Sequence, residues 1–146
     1  MALSQITVVF ASSDGALVDQ HFGSARHFVV CSVTTENHAI MTTHSFAKEA
    51  QDGNEDKLVG KIQWLKSTGA DVLVCAQVGG SAARQILAAG TQPIAVDGRP
   101  PVNDVIEQLQ SDLHNPETAW VKRVAKNRGD AAPERLEALL EDDWSE

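Results

Sequence analysis

The segment VDQHFGSARHFVV, residues 18–30, holds the side chains best suited to chemistry, with Asp19, His21 and His27 grouped around a Phe22-Gly23 pair. Imidazole is a neutral nitrogen ligand for metals and also an ordinary polar residue in turns. The two histidines are therefore either punctuation on a hairpin or donors facing a site, and His27 could also simply cap the strand that follows it. His38 falls in a turn, His44 on an expected edge strand and His114 beyond a helix, and no HxH or HxxxH pair occurs, so a closed zinc site has little support. Cys31 and Cys75 lie in the apolar runs HFVVCSV and DVLVCAQ with no CxxC spacing. Such thiols usually behave as small hydrophobes, although Cys75, at the end of its run, also comes within reach of a site there.

Gly79-Gly80-Ser81 follows the second of these runs and opens a helical stretch. Bare glycine amides at a helix start can bind an anion. The other reading is a tight strand-to-helix turn that needs positive φ. Neither GxxxxGK[ST] nor GxGxxG occurs at a strand end, so nucleotide binding is not expected.

Apolar periodicity supplies the elements that position these residues. Residues 6–11, 27–33, 39–46, 70–76 and 91–96 read as strands, the second and third forming a hairpin. A helix over 52–69 presents Leu58, Val59, Ile62 and Leu65 and stops at Gly69. A second spans 81–90, with Ser81 as N-cap and Gly90 as stop, and a third starts at Pro101 with Val102, Val105, Ile106 and Leu109 inward. Further helical stretches are expected near 117–127 and 133–143. A hairpin followed by βαβ units predicts an α/β fold with a mixed five-stranded sheet and helices on both faces. The division expected is an α/β domain over 1–113 and a C-terminal helical extension over 114–146.

The chain's 146 residues suffice for one real core. A net charge of −8 argues against a nucleic-acid surface. Residues 128–146 carry seven acids against Arg128 and Arg135, with Leu136, Leu139, Leu140 and Trp144 on one helical stripe. That tail is expected either to pack on the domain or to dock on a partner. The start MALSQITVVFASS has no signal-like pattern and no run reaches the length of a membrane span, so a cytoplasmic protein is expected.

Open α/β sheets place ligands beyond the carboxyl ends of their parallel strands. The loops SSDG, AQVGG and DGRPP fall at that edge, which predicts a site lined by Asp14, Asp19, His21, Gly79, Gly80 and Cys75.

VVFASSDGALVDQHFGSARHFVVCSV together with GADVLVCAQVGGSAARQILAAGTQPIAV closely resembles the nitrogenase iron–molybdenum cofactor biosynthesis domain family, found in NifX, in the core of NafY and in the C-terminal part of NifB. The resemblance covers about residues 5–113, and the closing RVAKNRGDAAPERLEALLEDDW is similar to the NifX type. It implies a ribonuclease-H-like three-layer α/β/α fold. It also implies a non-enzymatic job in nitrogen fixation: binding an iron–sulfur precursor of the cofactor and carrying it between NifB and the NifEN scaffold. The family's D-x-H-F-G motif falls on Asp19, His21, Phe22 and Gly23, which favours His21 as the cluster contact. His27 and Cys75 are further metal candidates, and Arg26, Arg84 or the Gly79 and Gly80 amides could offset a cluster's negative charge. The chain has no CxxxCxxC, so synthesis of the precursor in the manner of NifB is not implied.

A rival reading is a metal-dependent phosphoryl-transfer enzyme built on the same kind of sheet, with Asp14, Asp71 and Asp97 as acids. Asp71 precedes its strand and so falls at the wrong edge for that chemistry. A third is a regulatory relative that binds no cluster.

Overall fold

A computed structural model describes residues 4–46 and 55–127. Five strands, β1 (Gln5–Ala11), β2 (His27–Thr34), β3 (His38–Ser45), β4 (Val72–Cys75) and β5 (Gln92–Ala95), form one sheet in the order β3-β2-β1-β4-β5. β2 runs antiparallel to both neighbours, whereas β1, β4 and β5 are mutually parallel. This is the mixed sheet that the periodicity predicts, with α1 (Glu55–Thr68), α2 (Gly80–Ala88), α3 (Val102–Leu113) and α4 (Ala119–Asn127) on its two faces. Strand bounds agree to within two residues of expectation. The helix expected near 133–143 and its apolar stripe lie outside the described residues.

Strand alternation sorts the core into two layers. Ile6, Val8 and Phe10 of β1, Val29 and Cys31 of β2, and Val72 and Val74 of β4 face α3 and α4, where they meet Val105, Ile106, Leu109, Leu113, Trp120 and Val124. Val9, Ala11, Phe28, Val30, Leu73 and Cys75 point the other way, toward Leu58 and Leu65 of α1 and Ala82 and Ile86 of α2. β4 is buried along its whole length, as a strand covered on both faces must be. β3 is an exposed edge, and β5, the opposite edge, tolerates Pro93 because edge strands need fewer ladder donors. Among the described residues no helix is long and apolar enough to cross a membrane.

Three local expectations are corrected. Val59 is 46% exposed, and the inward position on α1 belongs instead to Lys61, which is 1% exposed. Residues 58, 61, 62 and 65 share one helical face, while 59 lies off it. Ser81 does not cap α2, because the helix already starts at Gly80 with Gly79 as its N-cap and no side-chain cap bond. Ser81 Oγ instead accepts from Gln85 Nε2 at 3.3 Å. Gly79 has φ −71° and Gly80 is not among the positive-φ glycines, so this turn does not require a left-handed backbone. Gly69 and Gly90 do adopt positive φ and end α1 and α2 as expected.

Candidate functional site

The loop from Ser12 to Arg26 lies across the carboxyl ends of the parallel strands and is stitched to both neighbouring loops. Ala76 N–H donates to Gln20 O at 2.8 Å and Phe22 N–H to Gln77 O at 2.9 Å, and His21 bridges Gln77 in parallel register. On the other side, Val18 N–H donates to Pro100 O at 2.9 Å and Val102 N–H to Ala16 O at 2.8 Å. The three edge loops picked out from the sequence thus form one continuous surface.

The acids of this loop shape it. Asp19 accepts from Ser13 N–H at 2.9 Å and Ser13 Oγ at 2.7 Å, one bond to each carboxylate oxygen. Asp14 accepts from the N–H groups of Ala16 and Leu17, and these bonds hold its carboxyl below the usual range. Phe22 is fully buried and packs on Phe28, ring centroids 5.9 Å apart, within a group of rings that includes Trp64 and Phe46. Burying such a ring is worth roughly 1.5–3 kcal/mol, which anchors the motif from below. His21, immediately before it, is exposed.

The N-cap of α2, Gly79, comes two residues after Gln77, the bridge partner of His21. Gly79 and Gly80 are exposed, and the N-terminal N–H groups of the helix have no side-chain cap. A Cβ on Gly79 would meet nothing within 4 Å, so neither crowding nor φ explains glycine there. On Gly80 it would lie 3.7 Å from the guanidinium of Arg84, which places that cation over the helix start.

The other candidates are dispersed. Cys75 is fully buried in the α1/α2 layer, and burial pushes its thiol up to about 11 despite backbone N–H bonds from Gln77 and Phe22. His27 belongs to the opposite face, where its Nδ1 lies 2.8 Å from Ser45 Oγ in a cleft of about 200 Å³ with Ser13 and Asp14. The sheet itself therefore separates His27 from Cys75. Arg26 is half-buried and spends its Nε on Phe46 O at 3.3 Å. Among the described residues no three His, Cys, Asp or Glu side chains converge as a metal site. Asp71, at the far end of β4, accepts from Thr7 N–H at 2.9 Å and is not part of this edge.

A larger hollow of about 510 Å³ between β5, α3 and α4 is lined by Ile94, Leu109 and Trp120 and contains none of the predicted site residues. Lys61 is the neighbour of the motif that the sequence reading missed. Its Nζ donates to Gly23 O at 2.7 Å and to Phe22 O at 3.4 Å, directly beneath the motif. The signal was a lysine at i+3 from Leu58 and i−4 from Leu65, in the middle of an apolar stripe.

Comparison with known proteins bears on this arrangement. Residues 4–112 match the family described as dinitrogenase iron-molybdenum cofactor. The chain is 38% identical over 141 residues to the NifX protein of Azotobacter vinelandii, covering 97% of this chain and 88% of that one. It is 24% identical over 113 residues to the FeMo cofactor biosynthesis protein NifB of the same organism, covering 74% of this chain and 22% of NifB. The apo form of the orange protein from Desulfovibrio gigas shares the fold, with a TM-score of 0.58, 24% identity and coverage of 76% of this chain and 90% of that one.

Proposed function

The chain belongs to the dinitrogenase iron–molybdenum cofactor family and has its place in the making of that cofactor; we propose that it serves there as a carrier, binding an iron–sulfur precursor at the His21 edge. In this reading the cluster is cargo, taken from NifB and handed to the NifEN scaffold. The observation that carries it is the D-x-H-F-G loop laid over the strand ends, with His21 exposed and bridged to Gln77, two residues before a glycine helix start that has no side-chain cap.

The donor set fits cargo better than a resident cofactor. One imidazole gives a single exchangeable bond to iron, and backbone N–H groups can meet bridging sulfides without fixing them. Several thiolates would hold a cluster too tightly to pass on, and both cysteines here are buried. Asp19 and Phe22 act on the loop, one bonding Ser13 and the other filling the layer below, so that His21 is presented rather than free to collapse. Arg84 adds a cation at the helix start.

The test is anaerobic mixing with isolated precursor, followed by gel filtration and by transfer to scaffold protein. A brown chromophore should co-elute with the protein and then leave it when scaffold is added. Precursor that elutes entirely free would refute the carrier reading.

A further inference from the structure

Lys61 carries a charge that nothing else in the described fold balances. Its ammonium is buried, its two acceptors are neutral carbonyls, and no carboxylate among the described residues pairs with it. Isolated buried charges are costly and need a reason. The reason lies on the other side of the turn. With no cis peptide in the described chain, the peptide that aims Phe22 C=O inward at Lys61 directs Gly23 N–H outward. That N–H has no acceptor among the described residues, whereas the next one, Ser24 N–H, closes the turn on His21 O at 3.3 Å. Phe22 O accepts from Lys61 Nζ at 3.4 Å and from Ala25 N–H at 3.4 Å; both polarise the carbonyl, the ammonium with a full charge, and this strengthens the donor at the far end of the same peptide. Gly23 is half-buried, and a Cβ on it would meet nothing within 4 Å, so its side-chain direction is open.

We propose that Lys61 is the fixed counter-cation of the site, which backs the outward Gly23 N–H beside His21 and so selects an anionic cluster over a bare metal cation. The proposal rests on the carrier reading and adds a residue and a rule of selectivity to it. A bare divalent ion at His21 gains nothing from the N–H and is repelled by the ammonium beneath. An anionic sulfide-bearing cluster gains from both, through a peptide shielded from water on its inner side. Lys61 touches no ligand itself and acts through the peptide it polarises.

The experiment titrates wild type, Lys61→Met and Lys61→Gln anaerobically with two separate probes, isolated iron–molybdenum cofactor and Ni²⁺. Ni²⁺ is followed by broadening of the His21 ring-proton resonances. Loss of the charge should weaken cofactor binding by about ten-fold or more, with Ni²⁺ binding unchanged or tighter. Unchanged cofactor affinity, or equal weakening toward both probes, would overturn the proposal, the second result reducing Lys61 to a tether for the loop. If the Met variant does not fold, Gln keeps a donor for Gly23 O and takes its place. Wild type supplies a further check: cofactor reduced by one electron should bind more tightly than oxidised cofactor, and equal affinities would contradict a counter-cation. His21→Ala separates the two levels of the account. If it still binds cofactor, the carrier site itself fails; if it does not but Lys61→Met binds as wild type, only the role of Lys61 fails.

Discussion

The two faces of the sheet are packed with different chemistry. Toward α3 and α4 the layer is mainly aliphatic, with Phe10 and Trp120 as its rings, and the indole of Trp120 is tied to Asp112 at 2.7 Å. Toward α1 and α2 lie Phe22, Phe28 and Trp64 in contact, with a buried lysine and a buried thiol hydrogen-bonded by the loop. Only this second layer reaches up into the D-x-H-F-G motif, through Phe22 and Lys61. One face therefore holds the strands together while the other also sets the shape and charge of the surface above it. The five motif residues are thus supported from the α1/α2 layer, whereas the α3/α4 layer reaches the loop only before the motif, through Val18.

Equal cuts in the two layers give the largest effect and the sharpest contrast. Phe22→Ala should cost about 3–5 kcal/mol in denaturant unfolding and Leu109→Ala about 2–5 kcal/mol. Only Phe22→Ala should also weaken cofactor binding by the molecules that remain folded. If Leu109→Ala lowers that affinity as steeply, the two layers are not functionally distinct.

A smaller difference should appear with pH. Burial brings Lys61 down to about 8 from the ordinary 10.5, so between those values the unfolded chain binds more protons than the folded one. This group's contribution to stability therefore rises as pH increases above 8. Cys31 and Cys75 act in the opposite sense: burial raises both to about 11 from 9, so they lower stability as unfolded thiols ionise above pH 9. Unfolding midpoints measured from pH 7 to 9 should rise more in wild type than in Lys61→Met. Parallel curves for the two proteins would mean that Lys61 is not buried as described.

The smallest expected effect is a similarity between the layers. Cys31 and Cys75 lie on opposite faces, both buried and both free. Iodoacetamide at pH 8 should leave both unmodified in the native protein, as read by mass spectrometry. Selective labelling of Cys75 would show that the loop over it opens.

Much of this was legible in the sequence, because the succession of strands and helices and the mixed, doubly covered sheet follow from apolar runs and alternation that local physics enforces. Val29 and Cys31 share a face by parity, and Gly69 and Gly90 mark helix ends because only glycine takes that backbone cheaply. The motif's Phe22 and the edge position of His21 were also readable from the resemblance together with the strand ends. What could not be read depends on three-dimensional neighbours. That Lys61 turns inward while Val59 turns out is decided by two carbonyls contributed from nearly forty residues upstream. That His27 and Cys75 face opposite sides depends on how β2 and β4 align with β1, which spacing along the chain does not encode. Gly79 and Gly80 looked like turn glycines, yet their backbone is ordinary and the space above Gly79 is open.

The central claim, that the His21 edge holds the cofactor precursor, is tested most directly by looking for the iron–imidazole bond. Protein labelled with ¹⁵N-histidine, loaded anaerobically and frozen, should show one histidine nitrogen coupled to the cluster in pulsed electron paramagnetic resonance. The coupling should vanish in His21→Ala, while unfolding of that variant stays within about 0.5 kcal/mol of wild type because the side chain is exposed. A coupling that survives in His21→Ala, or none in loaded wild type, would contradict the account.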